Sequence, residues 1–170
     1  NYEPKFLNID EIQSKLNDNE LVLEYFVSDS TTYLFGITNK QLEVFKFKSI
    51  EAELIEEFLQ SMQPENFNSY PQKSYKQFID QSYAIRQLLV DKSLTFFQQH
   101  KIEKLYIIPD KSLNYLPFEL LIRSKPAEGR ADYQDLDYLL KNFDISYGYS
   151  SSILFRTSEN KGSEYSDNKL

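Results

Sequence analysis

The sequence predicts a mixed α/β domain, and three observations carry that prediction. Three strand-like runs joined by short polar turns come first, a long stretch with helical spacing follows, and a β-branched run, KLYII, then breaks at Pro109-Asp110 into further strand and helix patterns. At 170 residues, such a chain buries roughly 70% of the surface its unfolded form would expose. A core therefore forms without covalent staples. With 13 Tyr, 13 Phe and no Trp, large aromatic rings should dominate it.

Residues 1–19 are read as a short helix. Asn8 stands three positions before Glu11 in a capping-box arrangement, and Ile9, Ile12 and Leu16 follow at helical spacing, with an end near Asn17 and Asn19. Residues 20–48 then read as an antiparallel meander of ELVLEYFV, TTYLFGIT and QLEVFKFK. Leu21, Leu23, Tyr25 and Val27 share one face of the first strand, and Tyr33, Phe35 and Ile37 share one face of the second. Glu24 falls on the opposite face from Leu23 and Tyr25, and is read as solvated.

Residues 49–100 are helical. Ser49 can cap a helix carrying Ile50, Leu54, Phe58, Leu59 and Met62, with Glu51, Glu53, Glu56 and Glu57 largely on its wet side. Pro64 ends that helix, and PENFNSYPQ reads as a loop. From about Ser74 a stripe of Tyr75, Phe78, Ile79, Ile85, Leu88 and Leu89 resumes, extended by Leu94 and Phe97 as one long helix or two in tandem. His100 falls at the end of this stretch, where the helix dipole favours a cation. It is read as a helix-end residue, since a catalytic base needs a nucleophile and a metal ligand needs companions.

Residues 104–156 open an α/β sheet. KLYII is a buried strand; Pro109-Asp110 turns the chain; Leu113, Tyr115 and Leu116 follow; and Pro117 starts a short helix with Phe118, Leu120 and Leu121. Asp110 lies beyond a strand's C-terminal end, where ligands gather in open sheets, and the competing reading is that it caps the turn. On physical grounds the cap is preferred. Asp132, Asp135 and Asp137 lack the order of a calcium loop and are read as solvated. A helical piece, LDYLLKN, leads to a strand in FDISYGYS, and SSSILFRT opens a serine-capped helix. Residues 157–170 are polar and read as a loop or linker.

The charge balance excludes several partner classes. Twenty-six acids against 19 bases give a net charge of -7, which repels phosphate backbones and anionic lipid, so neither nucleic acid nor a membrane is an expected partner. No run of about 18 apolar residues is present to span a bilayer. With no cysteine, the chain offers neither disulfides nor thiolate chemistry, and a reducing, cytoplasmic setting is the expectation. No cofactor or metal is expected.

Four pieces in order, LVLEYFVSDSTTYLFGIT, the helical pair with QLLVDKSLTFF, LYIIPDKSLNYLPFELL and NFDISYGYSSSILF, resemble the N-terminal half of a CHAT domain. The likeness runs from about Glu20 to Phe155, and its most specific part is IPD followed by Leu113 to Glu119. CHAT domains belong to the caspase-like cysteine peptidases and often follow tetratricopeptide repeats. The resemblance therefore implies a partial caspase-like three-layer sandwich over residues 1–156, with the meander as an accessory. It implies a protein or peptide substrate, and tetratricopeptide repeats in the same chain or in partner proteins. The family's histidine and cysteine both come after the aromatic strand and its following helix, so no catalytic residue is carried over and this chain alone should be inactive. Pro109, Asp110, Leu116, Pro117, Phe118 and Glu119 match the family motif and are assigned to building and packing the turn. A non-catalytic CHAT-like interaction module is the alternative.

Overall fold

The computed structural model describes residues 6–69, 71–127 and 132–156. The linker reading of residues 157–170 lies outside them. A first helix, α1 (Ile9–Gln13), starts in the expected capping box: Asn8 Oδ1 accepts the Glu11 N–H at 2.9 Å while the Glu11 carboxylate accepts the Asn8 N–H at 2.8 Å. Helical geometry stops at Gln13, short of the asparagines. The meander follows as β1 (Glu20–Val27), β2 (Thr31–Ile37) and β3 (Leu42–Lys48). Four helices come next: α2 (Ala52–Ser61), α3 (Pro64–Ser69), α4 (Pro71–Leu89) and α5 (Asp91–Phe96). Then β4 (Lys104–Ile108), β5 (Asp144–Tyr147) and α6 (Ser151–Arg156) complete the described chain.

All five strands form one mixed sheet in the order β3-β2-β1-β4-β5. β1 to β3 pair antiparallel, whereas β4 runs parallel to β1 on one side and to β5 on the other, with Leu23 opposite Ile107 and Ile107 opposite Tyr147. The meander is thus continuous with the parallel strands through β1. The main core covers one face: Leu21, Leu23, Tyr25, Leu34, Leu105 and Ile107 meet Ile55, Phe58, Phe78, Ile85 and Phe97 from the helices. On the other face a smaller cluster joins Val22, Ile37 and Ile108 to Ile12 of α1, to Leu16 just after it and to Phe155 of α6. This gives helices on both faces, compatible with part of an α/β sandwich.

In β2 the main core is reached by Thr32, Leu34 and Gly36, with Tyr33 and Phe35 on the half-exposed face. Gly36 explains the choice. A β-carbon there would stand 2.5 Å from the Phe97 ring, so the missing side chain makes room for a fully buried aromatic.

Several local expectations fail for identifiable reasons. Ser49 does not cap α2, whose N-cap is Glu51 without a side-chain bond. Its hydroxyl instead lies 3.2 Å from the Ser28 carbonyl and 3.1 Å from Thr32 Oγ1, tying the end of β3 to the β1–β2 turn. PENFNS is a helix rather than a loop, since proline is preorganised for a first helical position. Glu24 is not solvated: β1 is central, α6 covers it, and the Ser151 hydroxyl donates to the Glu24 carboxylate at 2.7 Å. Of the two arrangements open for the long apolar stripe, the chain takes two helices in tandem, broken at the buried Val90 (φ -118°, ψ -39°). The break leaves the Leu89 carbonyl free to accept from Tyr25 Oη at 2.9 Å.

Candidate functional site at the C-terminal edge of the parallel strands

Beyond the last β1–β4 pair, Glu24 opposite Ile108, the two strands separate and ladder bonds between them stop. Asp110 bridges the gap. Its carboxylate accepts the backbone N–H of Val27 at 2.8 Å, a contact spanning 83 positions of sequence. Asp110 is extended (φ -131°, ψ 148°) and precedes a 3-10 turn over Lys111–Tyr115, but its side chain makes no capping bond there. The preferred cap reading is corrected: the carboxylate serves the neighbouring strand, a partner that local sequence cannot display.

Lys111 adopts a left-handed conformation (φ 50°), which costs an ordinary residue about 1 kcal/mol or more and turns the chain sharply after Pro109-Asp110. The turn buries Leu113 and Leu116. Leu116 is extended (φ -82°, ψ 118°), as a residue before proline prefers to be. Pro117 then caps, rather than begins, a 3-10 turn over Phe118–Leu120, and Leu121 lies just past it. Phe118 is fully buried with its ring 5.6 Å from that of Tyr25. The exit from the turn is fixed from α4, where the Ser82 hydroxyl donates to the Leu120 carbonyl at 3.2 Å and accepts the Ile122 N–H at 2.9 Å.

The third strand is tied in by Tyr147, the last residue of β5. Its hydroxyl accepts the Phe118 N–H at 3.0 Å and donates to the Glu119 carboxylate in a short contact. Burial first, and then the Glu119 carboxylate, push the Tyr147 phenol well above its ordinary value. Burial likewise raises Tyr25. Both phenols are therefore held as neutral donors. The six motif residues run from the end of β4, reach β1 through Asp110, and reach β5 through Phe118 and Glu119. Tyr147 was missed from sequence, where it is one of two tyrosines in SYGYS; its signal was its place at a strand end.

Around this edge Tyr115 and Tyr149 are 74% and 93% exposed, giving an aromatic rim. The carboxylates of Asp110 and Glu119 are each engaged, by Val27 and by Tyr147. His100 lies elsewhere, in a 3-10 turn ahead of β4, with Nε2 3.1 Å from Gln41 Oε1. The chain carries no cysteine. Among the described residues no group of three His, Asp or Glu side chains is placed to hold a metal ion. Asp132 and Asp137 instead accept from the Gln134 N–H and the Asn142 amide, each at 2.9 Å. No helix among the described residues is long and apolar enough to cross a membrane.

A parallel β1–β4–β5 set, helices on both faces and a C-terminal edge closed by the P-D and L-P-F-E residues define the class as an α/β domain built on a mixed sheet. The family model for the CHAT domain matches residues 75–170, more than half of the chain, and the chain belongs to the CHAT domain family. The matched part holds β4, the motif, β5 and α6, whereas the meander lies before it. No curated protein matches the chain.

Proposed function

We propose that this chain is the N-terminal portion of a CHAT-type, caspase-like cysteine peptidase, with the Cys/His dyad supplied by residues that follow it. The observation that carries this reading is the pairing of a finished strand edge with the absence of any cysteine from the chain. Asp110 and Tyr147 fix the C-terminal ends of three parallel strands, where α/β enzymes place their chemistry, yet the chain has no thiol to put there. Among the described residues β5 has a partner on one side only, which leaves room for a further parallel strand. A thiolate at such an edge would attack a peptide carbonyl, histidine would move the proton to the leaving amine, and backbone amides would hold the oxyanion.

The test is peptide hydrolysis by the whole reading frame that contains these residues, compared with the 170-residue chain. The frame should cleave, the chain alone should not, and replacing one cysteine downstream of residue 170 with alanine should abolish cleavage. A frame without cysteine or histidine after a hydrophobic strand would overturn the peptidase reading. It would favour the second one, a non-catalytic CHAT-like interaction module, which rests on the same absence of a thiol.

A further inference from the structure

A cleft of about 350 Å³ opens at the opposite end of the sheet, ahead of β4 and β5. Ile102 and Phe143, which immediately precede those strands, give it an apolar lining, and Arg86, Lys101 and Arg123 give it three cations against one acid, Asp91. That balance reverses the charge of a chain with net -7. Arg86 and Asp91 neutralise each other through contacts of 2.7 and 2.8 Å that use both carboxylate oxygens. Lys101 and Arg123 have no carboxylate partner among the described residues, and the Arg123 guanidinium donates to the neutral amide of Asn142. Lys101 also sits in the left-handed region (φ 48°, ψ 53°) at the end of a 3-10 turn, where glycine or asparagine fits with less strain.

Two cations with no carboxylate partner among the described residues, set beside an apolar wall, suit a dianion carried on a flat body. A cleft of this volume is within the range of about 300–1,000 Å³ seen for small-molecule sites. We propose that this cleft binds a small phosphate monoester with an aromatic or heterocyclic body, its phosphate held by Lys101 and Arg123 and its ring against Ile102 and Phe143. The site lies at the strands' N-terminal ends, away from Asp110, and does not depend on the peptidase reading.

Phenyl phosphate is the probe, titrated into the 170-residue chain by calorimetry and by amide chemical shifts. Saturable binding should appear, with shifts at Lys101, Ile102, Arg123 and Phe143. Lys101→Gln and Arg123→Gln should each weaken it by about tenfold, the scale of one charge-assisted contact. Both side chains are exposed, so the variants should fold, and an unchanged thermal midpoint checks this. Arg123→Lys should retain most of the affinity, and Lys73→Gln, on the outside of α4, should leave it unchanged. Inorganic phosphate should bind more weakly and phenol not at all. Absence of saturable binding, equal weakening by Lys73→Gln, wild-type affinity in both cleft variants, or equal binding of phenol or inorganic phosphate overturns the proposal.

Discussion

The Asp110 carboxylate takes the N–H of Val27 at 2.8 Å and so closes the seam between β1 and β4 where their ladder ends. Truncation in Asp110→Ala leaves a half-buried backbone donor unpaired, a loss of about 1–3 kcal/mol. Asp110→Asn keeps an acceptor oxygen and should lose less than half as much. Urea unfolding of the three proteins measures this. Equal stability of Asp110→Ala and the parent would show that water replaces the carboxylate without cost.

Tyr147 makes the second tie. In Tyr147→Phe the Phe118 N–H loses its acceptor and the Glu119 carboxylate loses its donor, so stability should fall by about 0.5–2 kcal/mol. Glu119→Gln should be milder, because the Phe118 bond survives. Amide hydrogen exchange at Phe118 separates the two: it should accelerate in Tyr147→Phe and stay slow in Glu119→Gln.

Gly36→Ala brings a methyl group to within 2.5 Å of the Phe97 ring, which is fully buried and bounded by Phe96 and His100. Overpacking of this kind costs about 1–3 kcal/mol. Phe97→Leu alone should also destabilise, by leaving space, yet the double variant should be more stable than the sum of the two losses implies. Strict additivity in a double-mutant cycle would contradict the contact.

Alkaline pH should destabilise the fold in a defined window. Tyr133 and Tyr138 are raised by burial to about 12 from an unfolded value of 10.0, and Tyr25 and Tyr147 are raised further. A raised folded value means that the unfolded chain loses its protons first. Their contribution to stability is therefore complete below pH 10, begins to fall there, and is gone for Tyr133 and Tyr138 above about pH 12. Absorbance titration should show the ionisation of Tyr25, Tyr133, Tyr138 and Tyr147 delayed until it coincides with unfolding. A single transition near pH 10 in the folded protein would refute this.

Much of the fold was legible because it is local. The capping box at Asn8, the three strands of the meander, the buried strand KLYII and the serine start of α6 rest on signals within a few residues, and the Ser150 hydroxyl accepts the Ile153 N–H at 3.2 Å as a cap should. Local signals also misled. PENFNS has loop composition, but Asn66 bonds the Gln60 carbonyl at 2.7 Å and Ser74 bonds the Asn66 carbonyl at 2.9 Å, so a helix forms between α2 and α4. Glu24 looked solvated because alternation assumes one wet face, whereas β1 is covered on both.

The order and type of most elements, the absence of a thiol and the motif that marks the family can all be read along the chain. Periodicity and turn chemistry are properties of neighbouring residues, and composition needs no structure at all. What the motif residues touch is set by the assembled sheet. Asp110 finds Val27, Tyr147 finds Phe118 and Glu119, and Ser151 finds Glu24, because parallel pairing brings together strands that lie far apart in the chain. These polar groups gain their partners only after β1, β4 and β5 are in register, so no local pattern encodes them.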